Sequence, residues 1–311
     1  MKNSFIFCLL FVYAFCSSGQ DKTLKFEAQL IVDNDLFTGD LEIDQYYSSG
    51  IYASFRHLLD SSEKTKIIRS YTLNHQMYTP SWIGETIPEF NDRPYAGVLS
   101  FTFTQEYFFA NGHYFRPQIE IGWLGPKNLV GKSQSAWHGA LGIPKPMGWK
   151  YQIKDSPLLG LNLKHIYSYG YMEGIDFSGE ATLKIGTVYD LARYDLILRI
   201  GKIKPLIESA YLQGVLGKTN KRNPHRETTE SYFFYSPGLE RVFYNATLEG
   251  NIIGEESTYT MEAIKYVWQH RAGVMFSWPI FDLGIIAYWR SKENEEADKH
   301  KYVGLRYTQR F

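Results

Sequence analysis

The sequence predicts an all-β fold: a transmembrane antiparallel β-barrel of about twelve strands, with a short helix in a long extracellular loop. Three observations predict it. The chain begins with a secretory signal, its strands alternate apolar and polar residues, and it ends on an aromatic residue, Phe311. The 24 Tyr, 20 Phe and 7 Trp residues are also typical of the aromatic girdles of such barrels.

Residues 1–19 have the features of a signal peptide. A basic residue, Lys2, precedes an apolar run over 5–15, and three small residues follow shortly after. The run is too short to span a membrane as a helix. Cys16 would permit lipidation, but the aromatic residue before it fits poorly with lipoprotein processing. We therefore expect cleavage near residue 19 and a single barrel domain over 20–311.

Composition excludes several function classes. Cys8 and Cys16 both lie in the signal, so the mature protein would have no disulfide, thiolate metal site or cysteine nucleophile. The formal net charge is zero and no basic stripe is present, so no nucleic-acid partner is expected. After the signal, no apolar run approaches the ~20 residues that a membrane helix needs.

Alternating polarity locates the strands. It is clearest from Leu24, from Phe115 and in the last strand, where Val303, Leu305 and Tyr307 alternate with polar residues or glycine. An aromatic residue that closes an alternating last strand is typical of bacterial outer-membrane barrels. The other candidate strands are roughly 46–58, 66–78, 95–109, 157–172, 178–190, 194–217 (which could form two), 231–249, 258–278 and 280–290. An even number is required if both termini are periplasmic, which favours twelve.

If consecutive strands cross the membrane in alternating directions, the polar motifs all lie at one end of the barrel. If the first strand rises from the periplasm, then 36–45, 79–94 and 125–156 are outer loops. The polar segment 60–64 and the hairpin signal Asn111-Gly112 become short periplasmic turns. Long loops outside and short turns inside are the usual asymmetry of such barrels.

The first outer loop is acidic, with carboxylates at Asp33, Asp35, Asp40, Glu42 and Asp44. A dense set of carboxylates suits a hard cation such as Ca²⁺, although the spacing is not that of an EF-hand. A solvated acidic loop is the alternative that composition alone allows.

The long loop contains a segment that predicts a short helix over 133–141, capped by Ser133. Gln134 and His138 are four residues apart and would share one face. A histidine can act as a general base near neutral pH, although a lone loop histidine is more often a surface residue. Ser48 has no G-x-S-x-G context and would at most hydrogen-bond a substrate carbonyl. Asp92-Arg93 is interpreted as a structural pair at the rim.

Several of these motifs together resemble the outer-membrane lipid A 3'-O-deacylase family. The resemblance covers about residues 24–155 most densely. It consists of the following motifs, in this order: Asn34-Asp35, Asp44-Gln45-Tyr46-Tyr47-Ser48-Ser49-Gly50, Asn91-Asp92-Arg93-Pro94-Tyr95-Ala96-Gly97, Gly125-Pro126, Gln134, His138 and Gly148-Trp149.

The resemblance implies a twelve-stranded barrel that uses calcium to remove the 3'-linked acyloxyacyl group of lipid A. His138 would activate water, and Asp35 would be the calcium ligand or its anchor. Asn34 and Ser48 would orient the ester or stabilise the oxyanion. Two further residues would line the substrate: Gln134 and Gly50.

The implied partners are lipid A, or lipopolysaccharide, and the bacterial outer membrane, with the active site facing the extracellular leaflet. We expect a monomer.

Two departures leave the substrate open. Residues 139–144, directly after His138, include no acidic residue, and the second outer loop has Glu85 but no lysine after Pro80. Phospholipid or another acylated glycolipid is therefore an alternative substrate, and a non-enzymatic barrel that binds lipopolysaccharide is a second alternative. Strand parity raises a further question, because Asn34 points to the opposite face from Asp33 and Asp35. A β-bulge, or a site on the outer wall of the barrel, would reconcile the three.

Overall fold

Twelve antiparallel strands form a closed barrel in a computed structural model that describes residues 24–38, 45–217 and 229–311. Each strand pairs with its neighbours in sequence, and β12 pairs with β1, so the predicted fold class and strand number are confirmed. The strands are β1 (Phe26–Asn34), β2 (Tyr46–Ser61), β3 (Thr65–Thr79), β4 (Ala96–Phe109), β5 (His113–Leu124), β6 (Ser156–Met172), β7 (Ile175–Gly186), β8 (Tyr189–Lys202), β9 (Glu230–Asn245), β10 (Tyr266–Ser277), β11 (Phe281–Arg290) and β12 (His300–Arg310).

Helices lie in the connections between strands. α1 (Val130–Leu141) lies between β5 and β6, and α2 (Ala246–Glu249) lies between β9 and β10. Short 3-10 helices cover Asp35–Thr38, Pro88–Phe90, Pro126–Asn128, Trp149–Tyr151, Leu206–Glu208 and Ala210–Leu212. No helix in the described ranges is long and apolar enough to cross a membrane. The predicted signal peptide, and Asp40, Glu42 and Asp44 of the acidic loop, lie outside these ranges.

The terminal strands close the barrel. The β1–β12 ladder runs from Glu27 opposite Arg310 to Asn34 opposite Val303. Phe311 continues it, because its N–H donates to the Phe26 carbonyl at 2.9 Å and its own carbonyl accepts from the Phe26 N–H at 3.0 Å. The two rings stack with centroids 6.0 Å apart. The aromatic C-terminus therefore completes the last strand pairing.

Alternation separates an apolar outer wall from a polar lumen. In β1, Phe26 and Leu30 are exposed on the outside, whereas Glu27, Gln29 and Asp33 are buried inside. Many charged residues in the lumen form ion pairs, which offset the cost of burying their charges. The largest ion-pair groups join Arg56 to Glu27 and Glu106, Arg310 to Asp282 and Glu27, Arg199 to Asp176, and Lys164, Arg193 and Arg271 to Glu180.

The two ends of the barrel differ. We call the end at which β1 finishes the loop end and the opposite one the turn end. Connections at the loop end include 80–95, 125–155 and 246–265, whereas 62–64, 110–112 and 173–174 are short turns at the other end. Both predicted turns, at 60–64 and Asn111-Gly112, lie at the turn end.

One connection reverses this asymmetry and corrects the predicted strand 194–217. β8 ends at Lys202, and residues 203–217, which we call the lumenal segment, fold back into the barrel at the turn end. Pro205 lies three residues after the end of β8 and, because it has no N–H, cannot donate to a strand ladder. The apolar residues that suggested a strand instead fill the lumen: Leu206, Leu212 and Leu216 pack on Ile68, Phe108, Tyr114, Ile166 and Ile197.

Other strand boundaries also moved. The predicted strand 178–190 is β7, which ends at Gly186, and the predicted strand 258–278 begins only at Tyr266. The tight connection at Thr187 and Val188 was not anticipated, since neither residue carries a turn signal.

Candidate active site

Helix α1 lies on the outer wall of β3 and β4 at the loop end. In β3, Leu73, His75 and Met77 alternate on the outward face, and His75 Nε2 lies 3.2 Å from Ser133 Oγ of the helix. In β4, a Cβ at Gly97 would lie 2.7 Å from Cβ of Val130, so glycine allows the helix to approach the strand closely. The predicted loop helix is therefore outside the barrel, on its lipid-facing wall.

The helix begins three residues earlier than predicted. Its first residue is Val130, whose N–H donates to Asn128 Oδ1 at 3.0 Å, and Leu129 adopts a left-handed conformation just before it. Ser133 lies within the first turn, where its Oγ donates to the Val130 carbonyl at 2.6 Å. The capping role predicted for Ser133 is thus wrong, because Asn128 supplies an earlier acceptor.

His138 lies on the buried face of α1 with 7% of its surface exposed. Its Nδ1 lies 2.6 Å from the carbonyl oxygen of Pro144, in the loop that follows the helix. A carbonyl can only accept, so Nδ1 carries a proton and the lone pair of the neutral ring is on Nε2. The ring is therefore oriented, and its tautomer assigned, by the main chain.

Gln134 lies one turn before His138 on the same buried face, as predicted. Its Oε1 accepts a hydrogen bond of 2.6 Å from the indole N–H of Trp149. Trp149 also packs against Gly131, where a Cβ would lie 2.6 Å from the indole Cε3, and against the Tyr95 ring at 5.0 Å. Trp149, in the connection from α1 to β6, therefore holds the buried face of the helix.

Asn34 and Asp35 lie where β1 ends. Asn34 is at an outward-facing position of β1, opposite Ser49 of β2. Asp35 begins a 3-10 helix and is buried: its Oδ1 accepts from the N–H of Leu36 at 2.8 Å and its Oδ2 accepts from the N–H of Gln45 at 2.7 Å. Because Asp35 lies in a 3-10 helix and not in β1, the alternation of side chains along a strand does not apply to it. Asn34 and Asp35 therefore need not point to opposite faces of the barrel.

Ser48 is the extra residue of a β-bulge in β2. Tyr47 pairs with Tyr78 and Ser49 pairs with Met77, so Ser48 has no partner in the ladder. The serine is fully buried, and its Oγ donates to the carbonyl of Met77 at 3.4 Å. Met77 in turn packs with Val130, Tyr95 and Trp149 beneath α1. Ser48 and the helix thus contact the same residue of β3.

Gly50 is not placed with the other predicted residues. It pairs with Asp33, and both residues are at positions of β1 and β2 that face the lumen. The ring of Tyr47 covers it so closely that a Cβ at Gly50 would overlap the Tyr47 hydroxyl. Asp92 and Arg93 make the contacts of a scaffold: Asp92 accepts from Ser81 and Tyr46, and Arg93 donates to Thr247 and Glu293.

A family model described as outer membrane protein LpxR matches residues 5–311. The chain belongs to the LpxR family.

Solved structures share the barrel fold. LpxR from Salmonella typhimurium matches with a TM-score of 0.74 and 18% identity, covering 92% of this chain and 100% of that chain. The β domain of the Bordetella autotransporter BrkA matches with a TM-score of 0.51 and 10% identity, covering 93% of this chain and 100% of that one. At such identities these likenesses establish the barrel fold alone. No curated protein sequence matches the chain significantly.

Membership of the LpxR family confirms the resemblance identified from the motifs. It places the protein in the outer membrane and, at the family level, among lipid A deacylases. Lipopolysaccharide of the outer membrane is accordingly the substrate class of the family.

The carboxylates near the LpxR-type motifs are few within the described ranges. No group of three or more His, Cys, Asp or Glu side chains there is arranged to hold a metal ion. Asp35 is the carboxylate on which the calcium expectation rests, and its side chain offers two charged oxygens. These are the hard donors that Ca²⁺ prefers. The Asp35 carboxylate accepts from the N–H groups of Leu36 and Gln45, which hold it in place.

Sequence reasoning missed the apolar surface that surrounds α1. Trp137 is 64% exposed and lies one turn from Ser133, which contacts the wall at His75. The loops beside the helix expose further large apolar side chains: Trp82, Ile87, Phe90, Leu129, Ile143 and Met147. The loops that carry some of these residues are joined by a hydrogen bond of 2.8 Å from the Met147 N–H to the Ile83 carbonyl. Isolated apolar residues in loops give no periodic signal, so only the fold could bring them together.

Proposed function

We propose that the protein is a calcium-dependent esterase that removes the 3'-linked acyloxyacyl group of lipid A in the outer leaflet, by attack of a water molecule activated by His138. The proposal deepens the family-level assignment by naming the bond, the metal and the residues. The observation that carries it is the position of α1, which holds His138 on the outer wall rather than in the lumen.

This position supports a substrate that approaches from the membrane. Acyl chains of a lipid lie beside the apolar outer wall, which β3 and β4 continue below the helix through Leu73 and Phe101. The lumen, in contrast, is filled by ion pairs and by the lumenal segment. A polar or soluble substrate would have no corresponding reason to use the lipid-facing side.

His138 supports the hydrolytic step through its oriented ring. Its Nε2 would accept a proton from water while the water oxygen attacks the ester carbonyl carbon. The same proton would then pass to the departing alcohol oxygen as the bond between it and the carbonyl carbon breaks. Water thus supplies both the hydroxyl of the released fatty acid and the proton of the freed sugar hydroxyl.

Asn34 and Ser48 are proposed to hold the ester carbonyl and stabilise the developing oxyanion. Ser48 suits this role because its hydroxyl makes only a long bond of 3.4 Å to Met77, which a better acceptor could replace. A single well-placed donor of this kind is worth about 2.7–4 kcal/mol in other hydrolases.

Asp35 would hold the calcium ion at the same rim. Its buried carboxylate is fixed by two backbone N–H groups, so its position is set before any ligand binds. Calcium, when bound, would polarise the ester carbonyl and stabilise its developing negative charge.

The exposed apolar residues around α1 are proposed to contact the acyl chains. Trp137, Trp82 and Phe90 are among the most exposed large apolar residues of the described chain. Burying them against acyl chains would contribute roughly 1.5–3 kcal/mol for each side chain fully buried. In this orientation the loop end faces the cell exterior, where lipid A forms the outer leaflet.

Mass spectrometry of lipid A tests the proposal. Purified protein is incubated with hexa-acylated lipid A, with Ca²⁺ or with a chelator, and a parallel sample contains phospholipid vesicles. The proposal expects loss of the 3'-acyloxyacyl group in the calcium sample alone. Cleavage of phospholipid instead would identify the alternative substrate, and binding of lipopolysaccharide without any cleavage would identify a non-enzymatic barrel.

A matched pair of variants assigns the base. His138→Ala should remove activity, whereas His165→Ala, on the outer wall towards the turn end, should leave it unchanged. Both variants should retain the heat-modifiable electrophoretic mobility of a folded barrel. Full activity of the His138→Ala protein would overturn the mechanism.

A further inference from the structure

A second pair of residues lies immediately behind the candidate site, on the lumenal side of the same two strands. Asp33 precedes Asn34 in β1, and Tyr47 precedes Ser48 in β2. The Tyr47 hydroxyl donates to Asp33 Oδ2 at 3.1 Å. This bond joins the two strands at the residues that directly precede the proposed oxyanion donors.

Space for this contact is provided by two glycines. Gly50, opposite Asp33, leaves room for the Tyr47 hydroxyl, and a Cβ there would also lie 2.8 Å from Tyr47 Cζ. Gly304 of β12 is the other neighbour of Asp33, and a Cβ there would overlap Asp33 Oδ1. Neither glycine has a positive φ. Close approach of the Asp33–Tyr47 pair, rather than backbone conformation, therefore explains glycine at these positions.

Tyr47 is also fixed by its surroundings. Its ring contacts those of Tyr302, with centroids 4.9 Å apart, and Tyr78, at 5.5 Å. His300 Nε2 lies 3.1 Å from its carbonyl oxygen. Its hydroxyl lies 2.5 Å from that of Tyr52, which accepts from Gln76 at 2.9 Å. Tyr47 thus links β1, β2, β3 and β12 just before the bulge.

We infer that Tyr47 and Asp33 are positioning residues, which hold the end of β1 and the bulge of β2 so that Asn34 and Ser48 keep their relative geometry on the outer wall. A bulge residue has no ladder partner of its own, so its position depends on the residues on either side of it. The inference rests on the proposed function for its catalytic consequence, but the structural consequence can be measured independently.

Four variants of the full mature chain test it: Tyr47→Phe, Asp33→Ala, the double variant, and Tyr189→Phe as the control. Tyr189 is a matched control because its hydroxyl also pairs with another tyrosine in the lumen, Tyr78 at 2.9 Å, but makes no hydrogen bond to β1 or β2. Each tyrosine variant removes one hydroxyl and keeps the ring.

Kinetics with lipid A give the first readout. We expect kcat of Tyr47→Phe to fall by about tenfold, less than the ~100-fold that a 1 Å displacement can cause, with KM nearly unchanged. The double variant should be no worse than the poorer single variant, because both substitutions remove the same contact. Unchanged kcat in Tyr47→Phe, an equal loss in Tyr189→Phe, or additive losses in the double variant would each overturn the inference.

Hydrogen exchange gives a readout that does not need activity. Amides of residues 46–50 should exchange faster in Tyr47→Phe than in Tyr189→Phe, while the rest of the barrel is unaffected. If the wild-type protein cleaves no lipid A, the proposed function fails and this measurement alone decides the positioning role. Equal exchange over residues 46–50 in the two variants would reject it.

Discussion

His138 Nδ1 lies 2.6 Å from the carbonyl oxygen of Pro144, six residues further along the same loop. Because the acceptor belongs to the main chain, no side-chain substitution at residue 144 removes it directly. The bond leaves Nε2 as the basic nitrogen of the neutral ring. The helix and the loop that follows it therefore determine together which nitrogen can accept a proton.

This bond allows a substitution that separates orientation from basicity. The amide of His138→Asn can still donate to the Pro144 carbonyl, but it has no basic nitrogen. We expect a loss of roughly 10²–10⁴-fold in kcat, the usual contribution of a general base, with the fold retained. Steady-state hydrolysis of lipid A and heat-modifiable mobility measure the two effects. Activity within a few fold of wild type would show that His138 has only a structural role.

The hydrogen bond between Gln134 and Trp149 gives the second prediction. Trp149→Phe removes the indole N–H and leaves the buried Gln134 Oε1 without this donor, at a cost of about 1–3 kcal/mol. We expect α1 to be held less firmly and activity to fall by roughly tenfold, while β-strand content by circular dichroism is unchanged. Trp268→Phe, an exposed tryptophan on the outer wall of β10, is the control and should retain full activity. If both variants lose the same activity, the Gln134 contact is not responsible.

The features that were predictable from sequence are those with a two-residue period. Phe26 and Leu30 lie outside and Glu27 and Gln29 lie inside because side chains alternate in every barrel strand. The place of Phe311 at the end of the last strand was predictable for the same reason. The strand number followed from the requirement for an even number, although individual strand boundaries did not.

The features that were not predictable depend on contacts between distant residues. The lumenal segment contains Leu206, Leu212 and Leu216, which are buried inside the barrel. The local sequence pattern of such a buried segment does not differ from that of an apolar strand. At the site, the bulge at Ser48 and the 3-10 helix at Asp35 both interrupt the alternation, so sequence parity could not give their faces. The placement of α1 outside the barrel was likewise a tertiary property.

The lumenal segment gives the third prediction, the absence of a stable channel. Arg56 donates to the Gln213 carbonyl at 3.0 Å, and Glu230 accepts from the N–H groups of Lys204 and Ala210 at 2.9 and 2.8 Å. These bonds fix residues 203–217 across the turn end. In planar bilayers we expect no steady conductance from the intact protein and frequent openings after deletion of residues 206–214. The same deletion should leave lipid A hydrolysis largely intact, because the site is on the other side of the wall. Steady conductance of the intact protein would contradict this account of the lumen.

Asp35 gives the fourth prediction, which separates metal binding from folding. Asp35→Asn keeps an oxygen that can accept a backbone N–H but removes the negative charge on which a hard cation depends. We expect calorimetric titration of the protein with Ca²⁺ alone to show binding for wild type and at least about tenfold weaker binding for the variant. Hydrolysis by the variant should need correspondingly more calcium. Asp60→Asn, an exposed carboxylate at the turn end of β2, should bind calcium as wild type does. Equal calcium affinity of the Asp35→Asn protein and wild type would place the ion elsewhere, and hydrolysis that persists in a chelator would remove it from the mechanism.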